Sequence, residues 1–336
     1  MKIRLTFIIC TYNGEKRLPE VLHALVTACK KCSQACEIVV IDNASKDNTS
    51  IVAEQLLKPS GIANLVLHES QPGKANALKL GFSRASGDLF SVIDDDNVVN
   101  QYWCERAINF FDTRSDVGLV GPKIVGKFPD GLSPPEEYFT ESTWQGMLGI
   151  LDLGDQELEG KYPFGAGMTG RTHVMNYLYQ HVGTYLADRV GDKLTSGEDH
   201  EKSLMFKALG WQGVYLPDLQ LQHVIPSSRL NQSYIDRVML SAMGAVDWLK
   251  ILENERVSRW SIYKNIIVDL ALLLKFSIQS LIVSKAHNLK RRSPVFWRDF
   301  YKSRLIGSFE LLKRFSEVSQ ILKNLHGSAD NMCGPY

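Results

Sequence analysis

The sequence lacks several short motifs that identify common nucleotide-binding and hydrolytic enzymes. No Gly-x-Gly-x-x-Gly run follows the first apolar segment, which argues against a dinucleotide-dependent dehydrogenase. Gly73 and Lys74 resemble the end of a phosphate-binding loop, but His68 stands where that loop requires its first glycine. A Gly-x-Ser-x-Gly nucleophile elbow and a His-Glu-x-x-His zinc motif are also absent. The chemistry must therefore be sought among other residues.

The chain also lacks a strong net charge and a long apolar run near its amino terminus. Its formal net charge is +1, so no overall field attracts nucleic acid, and we expect no nucleic-acid partner. The apolar stretch Leu5–Cys10 is too short for the core of a signal peptide, which favours a cytoplasmic protein. Hydrophobic residues make up 44% of the chain, so a sizeable core is expected.

Cysteine is scarce as well, with six residues in 336. A chain of this length with so few cysteines fits a reduced compartment better than a disulfide framework. Cys29, Cys32 and Cys36 form the only cluster in the sequence, at the end of a predicted helix and without an obvious fourth ligand nearby. We interpret them as structural or incidental, with zinc binding as the minor alternative.

Strand-like and helix-like segments alternate over the first 125 residues. This alternation predicts an α/β fold with a mostly parallel central sheet that is covered by helices on both faces. The predicted strands are Leu5–Cys10, Glu37–Ile41, Leu65–His68, Leu89–Ile93 and Val117–Val120, and the predicted helices are Pro19–Ala28, Thr49–Leu57, Lys74–Ala85 and Tyr102–Phe111. Further on, a helix is predicted over Glu198–Leu209, and short strands are predicted at Val214–Leu216 and Leu219–Leu221.

Three consecutive aspartates, Asp94, Asp95 and Asp96, end the fourth predicted strand. Three neighbouring carboxylates repel one another, and a shared cation would relieve that repulsion. Carboxylate oxygens suit Mg²⁺ or Mn²⁺, which commonly take one or two carboxylates together with substrate phosphates. A solvated acidic loop after the strand is the other interpretation.

Polar residues also follow two other predicted strands, at Thr11-Tyr12-Asn13 and at Asp42-Asn43. In open α/β sheets, ligands bind beyond the carboxyl ends of the strands. The sequence therefore predicts one binding edge that carries hydrogen-bond acceptors and carboxylates together.

Five segments between about residues 4 and 235 resemble the family 2 glycosyltransferases of the GT-A fold, in the order and spacing of that family. The resemblance implies a Rossmann-like sheet with flanking helices. The segments are TFIICTYNGEKRLPEVLHAL, EIVVIDNASKDNTSIVAEQL, GKANALKLGFSRASGDLFSVIDDDN, YPFGAGMTGR and GEDHEKSLMFKALGWQGVYLPDLQLQHVIPSSR.

The resemblance implies a divalent-cation site, for Mn²⁺ or Mg²⁺. Asp94 and Asp96 match the two ends of the family's Asp-x-Asp motif. Asp96 would bind the cation that bridges the donor diphosphate, and Asp94 would contact the donor ribose or the metal shell. His223 resembles the family's late histidine, which completes the metal shell or meets a phosphate, with Arg229 nearby.

The resemblance also implies a pocket for the donor nucleotide. Asp42 would hydrogen-bond the base, in a pocket walled by Thr11, Tyr12 and Asn13. Weaker candidates for the same nucleotide-sugar pocket are Glu15, Ser45 and Lys74, and Asp95 is included with its role left open.

Asp199 matches the family's catalytic base, and Glu198 before it would orient that base or the acceptor. A sugar hydroxyl is a poor nucleophile at neutral pH, so a carboxylate must take its proton as it attacks the anomeric carbon. A single displacement inverts the anomeric configuration, as in the family's inverting mechanism. Asp199 as a plain helix cap is the alternative.

The resemblance implies a nucleotide-sugar donor, with a UDP-sugar favoured, and a glycan or lipid-linked acceptor in the biosynthesis of surface polysaccharides or glycoconjugates. Two other functions stay open at this point. One is a catalytically silent subunit that binds a nucleotide or a glycan, and the other is a sugar nucleotidyltransferase.

We predict a glycosyltransferase domain over residues 1–235, with a nucleotide-binding half (1–125) and an acceptor-binding half (126–235). Residues 236–336 would form a helical carboxyl-terminal extension.

Within this extension, Ile266–Ser284 is apolar but interrupted by Asp269 and Lys275, which disfavours a transmembrane helix. A basic stretch, Lys285–Arg304, follows it. One face of the predicted helix carries Ile267, Leu270, Leu274, Ile278 and Leu281. Two interpretations stay open: peripheral contact of residues 266–304 with the cytoplasmic face of a membrane, or packing on the protein's own core or in a dimer.

Overall fold

The computed structural model describes residues 2–128, 142–161, 165–186, 197–254, 256, 258–282 and 292–327. Strands and helices alternate through the amino-terminal part, as predicted. The elements there are β1 (Leu5–Thr11), α1 (Leu18–Lys31), β2 (Cys36–Asp42), α2 (Thr49–Leu57), β3 (Ala63–His68), α3 (Lys74–Arg84), β4 (Leu89–Asp94), β5 (Asn97–Val99), α4 (Trp103–Thr113) and β6 (Val117–Lys127).

The second part is mainly helical, with two very short strands and one long one. Its elements are α5 (Ser142–Met147), β7 (Leu158–Glu159), β8 (Thr169–Arg171), α6 (Thr172–Tyr177), α7 (Glu198–Ala208), β9 (Gln212–Val224), α8 (Gln232–Ala242), α9 (Val246–Asn254), α10 (Arg259–Ile282), α11 (Pro294–Lys313) and α12 (Phe315–His326).

One sheet joins the nine strands in the order β3-β2-β1-β4-β8-β6-β9-β5, and β7 pairs with β9 from the side. The six longer strands run parallel to one another, and the short strands β5, β7 and β8 run antiparallel to their neighbours. The apolar runs of β1, β2 and β4 are buried almost throughout, as expected for central parallel strands. The predicted α/β class, with a mostly parallel central sheet flanked by helices, is confirmed.

The register of the parallel strands aligns their polar ends. Thr11 lies opposite Asp42 in the pairing of β1 with β2, and Cys10 lies opposite Asp94 in the pairing of β1 with β4. Asp42 in turn lies opposite His68 of β3. The polar residues that follow the apolar runs therefore meet at one edge, the carboxyl edge of the sheet.

The pairing of β6 with β9 differs from the sequence prediction. Strand β6 continues well beyond Val120, to Lys127, and the two short strands predicted around Pro217 are one strand. Pro122 pairs with Leu216 while the next residue pairs with Gln220, so β9 bulges between the two matched stretches. A bulge accommodates a proline within a strand without breaking it, which explains the difference.

Two hydrophobic layers cover the sheet. One layer holds the apolar faces of α1, α2 and α4. The other holds α3, α6 and α7 together with residues of α9, α10, α11 and α12. The carboxyl-terminal helices therefore share a core with the sheet. The division at residue 235 stays a prediction, as does its acceptor-binding half, part of which lies outside the described residues.

Helix α10 contains the predicted apolar segment. Its Asp269 is buried, and its carboxylate accepts a hydrogen bond of 2.9 Å from Nε of Arg304 on α11. Burial raises the pKa of Asp269, whereas Arg304 lowers it. In the part of the chain that the structure describes, no helix is long and apolar enough to cross a bilayer. Residues 283–291 of the basic stretch lie outside the described residues.

Candidate active site

Asp42 is held at the end of β2 by the turn that follows it. Its Oδ1 accepts a hydrogen bond of 2.9 Å from the backbone N–H of Ser45, and its Oδ2 accepts one from the hydroxyl of Ser50. The carboxylate is buried at the carboxyl edge, where the sequence predicts a contact with the nucleotide base. Sequence reasoning missed Ser50, which lies in the first turn of α2.

The loop after β1 and the loop after β2 bind each other through polar contacts. The backbone N–H of Asn13 donates to Oγ of Ser45 (2.9 Å), and Oδ1 of Asn13 accepts from the backbone N–H of Lys46 (2.8 Å). Asn13 has a φ of 50°, a left-handed conformation that asparagine tolerates. Tyr12 beside it is 52% exposed, so its ring is accessible to a ligand.

Glu15 also joins these two loops. Its carboxylate accepts hydrogen bonds from the backbone N–H of Asn48 (3.2 Å) and from the Asn48 side-chain amide (3.1 Å). These contacts favour a role for Glu15 in holding the loops together rather than in contacting a ligand directly.

Asn43, which the sequence places at this edge without a specific role, fixes the loop before α3. Its amide nitrogen donates to the carbonyl oxygens of Glu69 (3.2 Å) and Gln71 (2.7 Å), and its Oδ1 accepts from the backbone N–H of Gly73 (2.8 Å). Asparagine at a strand end commonly bonds nearby backbone in this way, which is the signal that could have identified it. The contacts place Lys74, the first residue of α3, at the carboxyl edge.

Lys74 and Asp94 form an ion pair, with 2.6 Å between Nζ of the lysine and Oδ1 of the aspartate. Burial lowers the pKa of Lys74, but the nearby carboxylates, Asp94 first among them, raise it well above its usual range. Lys74 therefore stays protonated at neutral pH.

Asp95 points to the amino terminus of α1. Its carboxylate accepts from Nε (2.9 Å) and Nη2 (2.7 Å) of Arg17, and from the hydroxyl of Thr11 (2.6 Å). Nη2 of Arg17 also donates to the backbone carbonyl of Tyr12 (3.0 Å). Both oxygens of Asp95 are engaged, which favours a role in positioning the loop after β1. Sequence reasoning missed Arg17.

Asp96 lies beside His223 because β5 pairs antiparallel with β9. The backbone N–H of Val224 donates to the carbonyl oxygen of Asp96 (2.8 Å), and Oδ2 of Asp96 lies 3.4 Å from Nε2 of His223. Nη2 of Arg229 is also 3.4 Å from Oδ2 of Asp96. Burial raises the pKa of Asp96, but His223 and Arg229 together hold it below its usual value.

Glu198 and Asp199 begin α7. Glu198 is buried and accepts a hydrogen bond of 3.1 Å from the hydroxyl of Tyr179. Oδ1 of Asp199 accepts from the N–H of His200 (2.8 Å), while a Cβ added to Gly165 would lie 2.9 Å from Oδ2 of Asp199. Asp199 is only partly buried, and it contributes to the raised pKa of Lys74, which places it on the same side of the sheet as the aspartate triplet.

The carboxylates of Asp94 and Asp96 are ligand types that suit Mn²⁺ or Mg²⁺. Asp96 and His223 are neighbours, but the ligand atoms of Asp94, Asp96 and His223 do not all lie within 4.8 Å of one another among the described residues, so the three would have to draw together around an ion. Nε2 of His223 faces Asp96, whereas its buried Nδ1 lies toward Gly149 and has no hydrogen-bond partner among the described residues. Lys74 and Arg229 already face the same carboxylates, so the edge offers positive charge to an anionic ligand such as a diphosphate.

Comparison with known proteins gives a consistent result. Residues 6–169 match the model of the family described as Glycosyl transferase family 2. Glycosyltransferase AglE of Haloferax volcanii is 28% identical over 131 residues, or 39% of this chain and 42% of that protein. Undecaprenyl-phosphate 4-deoxy-4-formamido-L-arabinose transferase of Proteus mirabilis is 28% identical over 95 residues, or 28% of this chain and 29% of that protein. The chain thus spans less than half the length of either relative.

Among solved structures, S. aureus TarS 1-349 in complex with UDP-GlcNAc superimposes with a TM-score of 0.50. The sequences are 18% identical, and the match covers 98% of this chain and 91% of that chain. The likeness supports the GT-A fold and extends through the carboxyl-terminal helices.

Proposed function

We propose that this chain, which belongs to glycosyl transferase family 2 through residues 6–169, transfers a sugar from a nucleotide-sugar donor to a hydroxyl group of an acceptor. The observation that carries the proposal is the meeting of Asp42, the aspartate triplet and Asp199 at one edge of the sheet. Donor nucleotide, diphosphate and acceptor hydroxyl each need a polar partner, and these carboxylates could supply one for each.

The donor end is formed by the loops after β1 and β2. Buried Asp42 offers a fixed acceptor for the N–H groups of a base, and exposed Tyr12 offers a face for stacking. Lys74 and Arg229 attract the diphosphate and neutralise the charge that grows on it as it leaves. When bound at Asp94, Asp96 and His223, Mn²⁺ or Mg²⁺ would supply Lewis-acid stabilisation of that leaving diphosphate.

Asp199 is the proposed general base. Its carboxylate lies at the start of α7 with one oxygen engaged by its own helix and the other directed toward Gly165. A base so placed takes the proton of an acceptor hydroxyl while that oxygen attacks the anomeric carbon. One base and one displacement invert the anomeric configuration. Glu198, bonded to Tyr179, fixes the first turn of α7 and hence the direction of Asp199.

We infer a UDP-sugar donor and a glycan or lipid-linked acceptor from family resemblance. The Proteus mirabilis relative is named for transfer to undecaprenyl phosphate, a lipid carrier. A lipid-linked acceptor would bring this protein to a membrane surface, in the synthesis of surface polysaccharides or glycoconjugates.

The exposed face of α10 supports membrane contact. Ile267 is 66% exposed, Leu274 63% and Leu281 87%, all on one side of the helix. The charged side chains that α10 exposes, Arg259, Lys264 and Lys275, are all basic, because Asp269 is buried against α11. An apolar and basic face suits the headgroup region of an anionic bilayer on the cytoplasmic side.

Sedimentation with lipid vesicles tests this contact. The protein is expected to sediment with phosphatidylglycerol vesicles and much less with phosphatidylcholine vesicles, and Ile267→Asp with Leu274→Asp should abolish sedimentation. Light scattering of the lipid-free protein is the second readout. If the lipid-free protein is a dimer and the same two substitutions dissociate it, the exposed face of α10 binds a second copy of the chain instead of a membrane.

Transfer assays with UDP-, GDP- and dTDP-sugars in Mn²⁺ test the enzymatic proposal. Asp199→Asn is expected to retain donor affinity but to lower the transfer rate by about 10²–10⁴-fold, the usual contribution of a general base. Transfer by Asp199→Asn at the wild-type rate would overturn the assignment of the base. Pyrophosphate release from a sugar 1-phosphate and a nucleoside triphosphate would indicate a nucleotidyltransferase. Donor binding without turnover under all conditions would indicate a silent binding subunit.

A further inference from the structure

A cluster of buried thiols lies far from the candidate active site. Cys29 is in the last turns of α1, Cys36 is the first residue of β2, and Cys104 is near the start of α4. Their Sγ atoms all lie within 4.8 Å of one another. Asp42 ends the strand that Cys36 begins, so a seven-residue strand, about 20 Å long, separates the cluster from the carboxyl edge.

We propose that Cys29, Cys36 and Cys104 form a binding site for a thiophilic metal ion of the zinc(II) class, with Cys32 as the fourth ligand. Spacing along the chain does not reveal this set, because Cys104 is remote in sequence from the other three. The fold supplies the missing ligand by packing α4 against α1.

The geometry is close to that of a tetrahedral thiolate site. A zinc–sulfur bond of about 2.3 Å places the sulfur atoms of such a site about 3.8 Å apart. Sulfur atoms already within 4.8 Å of one another need only a small contraction to reach this distance. Three separate elements provide the ligands, so a bound ion would tie α1, β2 and α4 together.

Cysteine sulfur binds a metal ion as the thiolate, so loading of the cluster would release the protons of its thiols. The apparent affinity for the ion should therefore rise with pH.

Cys32 is the proposed fourth ligand. It caps the carboxyl end of α1, it is only partly buried, and its thiol interacts with Cys36. Its sulfur lies outside the group of three Sγ atoms that are all within 4.8 Å of one another, so Cys32 would have to move toward the cluster to bind the ion. Because Cys32 is partly exposed, it also gives an ion access to the buried thiols.

Cadmium(II) titration of the whole chain in a phosphine reductant tests the proposal, because thiolate-to-cadmium absorption reports sulfur ligands and ignores carboxylate sites. We expect one cadmium ion to bind per chain. The intensity of the absorption band should correspond to at least three thiolate ligands for each bound ion. Zinc(II) should displace cadmium and raise the Tm. Absence of the band, or an intensity of one thiolate, would overturn the proposal.

Matched variants locate the site. Cys104→Ser is expected to remain folded by circular dichroism and to weaken cadmium binding more than about tenfold. Cys10→Ser removes a thiol outside the cluster, and Asp96→Asn removes a carboxylate of the active site, so neither should change the band. A full-strength band in Cys104→Ser would contradict the site. If Cys104→Ser does not fold, the wild-type protein alone provides the test. A band intensity below that of three thiolates per bound ion would then contradict the site.

Discussion

The ammonium group of Lys74 lies 2.6 Å from Oδ1 of Asp94, so the first residue of α3 neutralises the last residue of β4. This pair depends on Asn43, whose side chain holds the loop that precedes α3. Aspartate, lysine and loop thus act as one unit that fixes an ammonium group at the carboxyl edge. A diphosphate bound there would meet the ammonium group of Lys74 in a fixed position.

Lys74→Gln tests this unit. The substitution removes one charge-assisted contact with the donor diphosphate, so we expect UDP affinity at saturating Mn²⁺ to fall about tenfold. Lys74→Arg keeps the charge and should lose less. Calorimetric titration with UDP measures the difference. Equal UDP affinity in Lys74→Gln and the wild type would show that the lysine only balances Asp94.

Asp95→Ala distinguishes a positioning residue from a metal ligand. The change leaves Arg17 and Thr11 without their partner, and we expect the free energy of unfolding to fall by about 1–2 kcal/mol, a figure reduced because Arg17 is partly exposed. Chemical denaturation provides the measurement. Mn²⁺ affinity should change little in the absence of donor. Unchanged stability with lost Mn²⁺ binding would instead make Asp95 a ligand.

Gly165→Ala should misplace the proposed base. The new Cβ would lie 2.9 Å from Oδ2 of Asp199, so the carboxylate must rotate away, and we expect kcat to fall while donor affinity stays the same. Gly61→Ala is the control, since Gly61 also has a positive φ but has no atom within 4 Å of its added Cβ. Both variants should lose roughly 1–2 kcal/mol of stability from backbone strain. An equal fall in kcat in both variants would show that displacement of Asp199 is not the cause.

Glu201→Gln tests a buried carboxyl group in α7. Glu201 accepts hydrogen bonds from Nε1 of Trp248 (2.6 Å) and the N–H of Tyr185 (2.8 Å), and burial raises its pKa above the ordinary value of 4.5. Between these two pKa values the folded state binds more protons than the unfolded state, so this group makes stability fall as pH rises through that window.

The glutamine variant keeps an acceptor of the same shape and has no proton to lose. We therefore expect Tm to fall less steeply above pH 4.5 in Glu201→Gln than in the wild type. Glu310→Gln, a change at a largely exposed side chain, is the control and should follow the wild-type profile. Parallel profiles for all three proteins would contradict the assignment of this pH dependence to Glu201.

The placement of Asp42 and Asp94 could be predicted because it depends on local information. A buried apolar run fixes where a strand ends, and parallel strands bring their ends to one edge. The partners of Arg17 and Asn43 could not be assigned in this way, since they are fixed only when the loops fold over one another. The same holds for Cys104, which joins the other thiols through helix packing alone.

Strand β9 shows a second limit of sequence reasoning. The sequence predicts its two halves as separate short strands, because Pro217 between them is typical of a strand end. Only the pairing with β6, where residues are skipped beside Pro122, shows that the strand continues to Val224. The placement of His223 beside Asp96 depends on that continuation.

The pairing of β5 with β9 has a consequence for the order in which the site forms. Lys74 and Asp94 are close along the chain, so they meet as soon as α3 packs on β4. Asp96 meets His223 only after a long loop closes, which is an entropically costly and therefore late event in folding. A nascent chain that ends before β9 would already contain the three aspartates but not the imidazole beside Asp96, so the proposed cation site would form only after this loop closes.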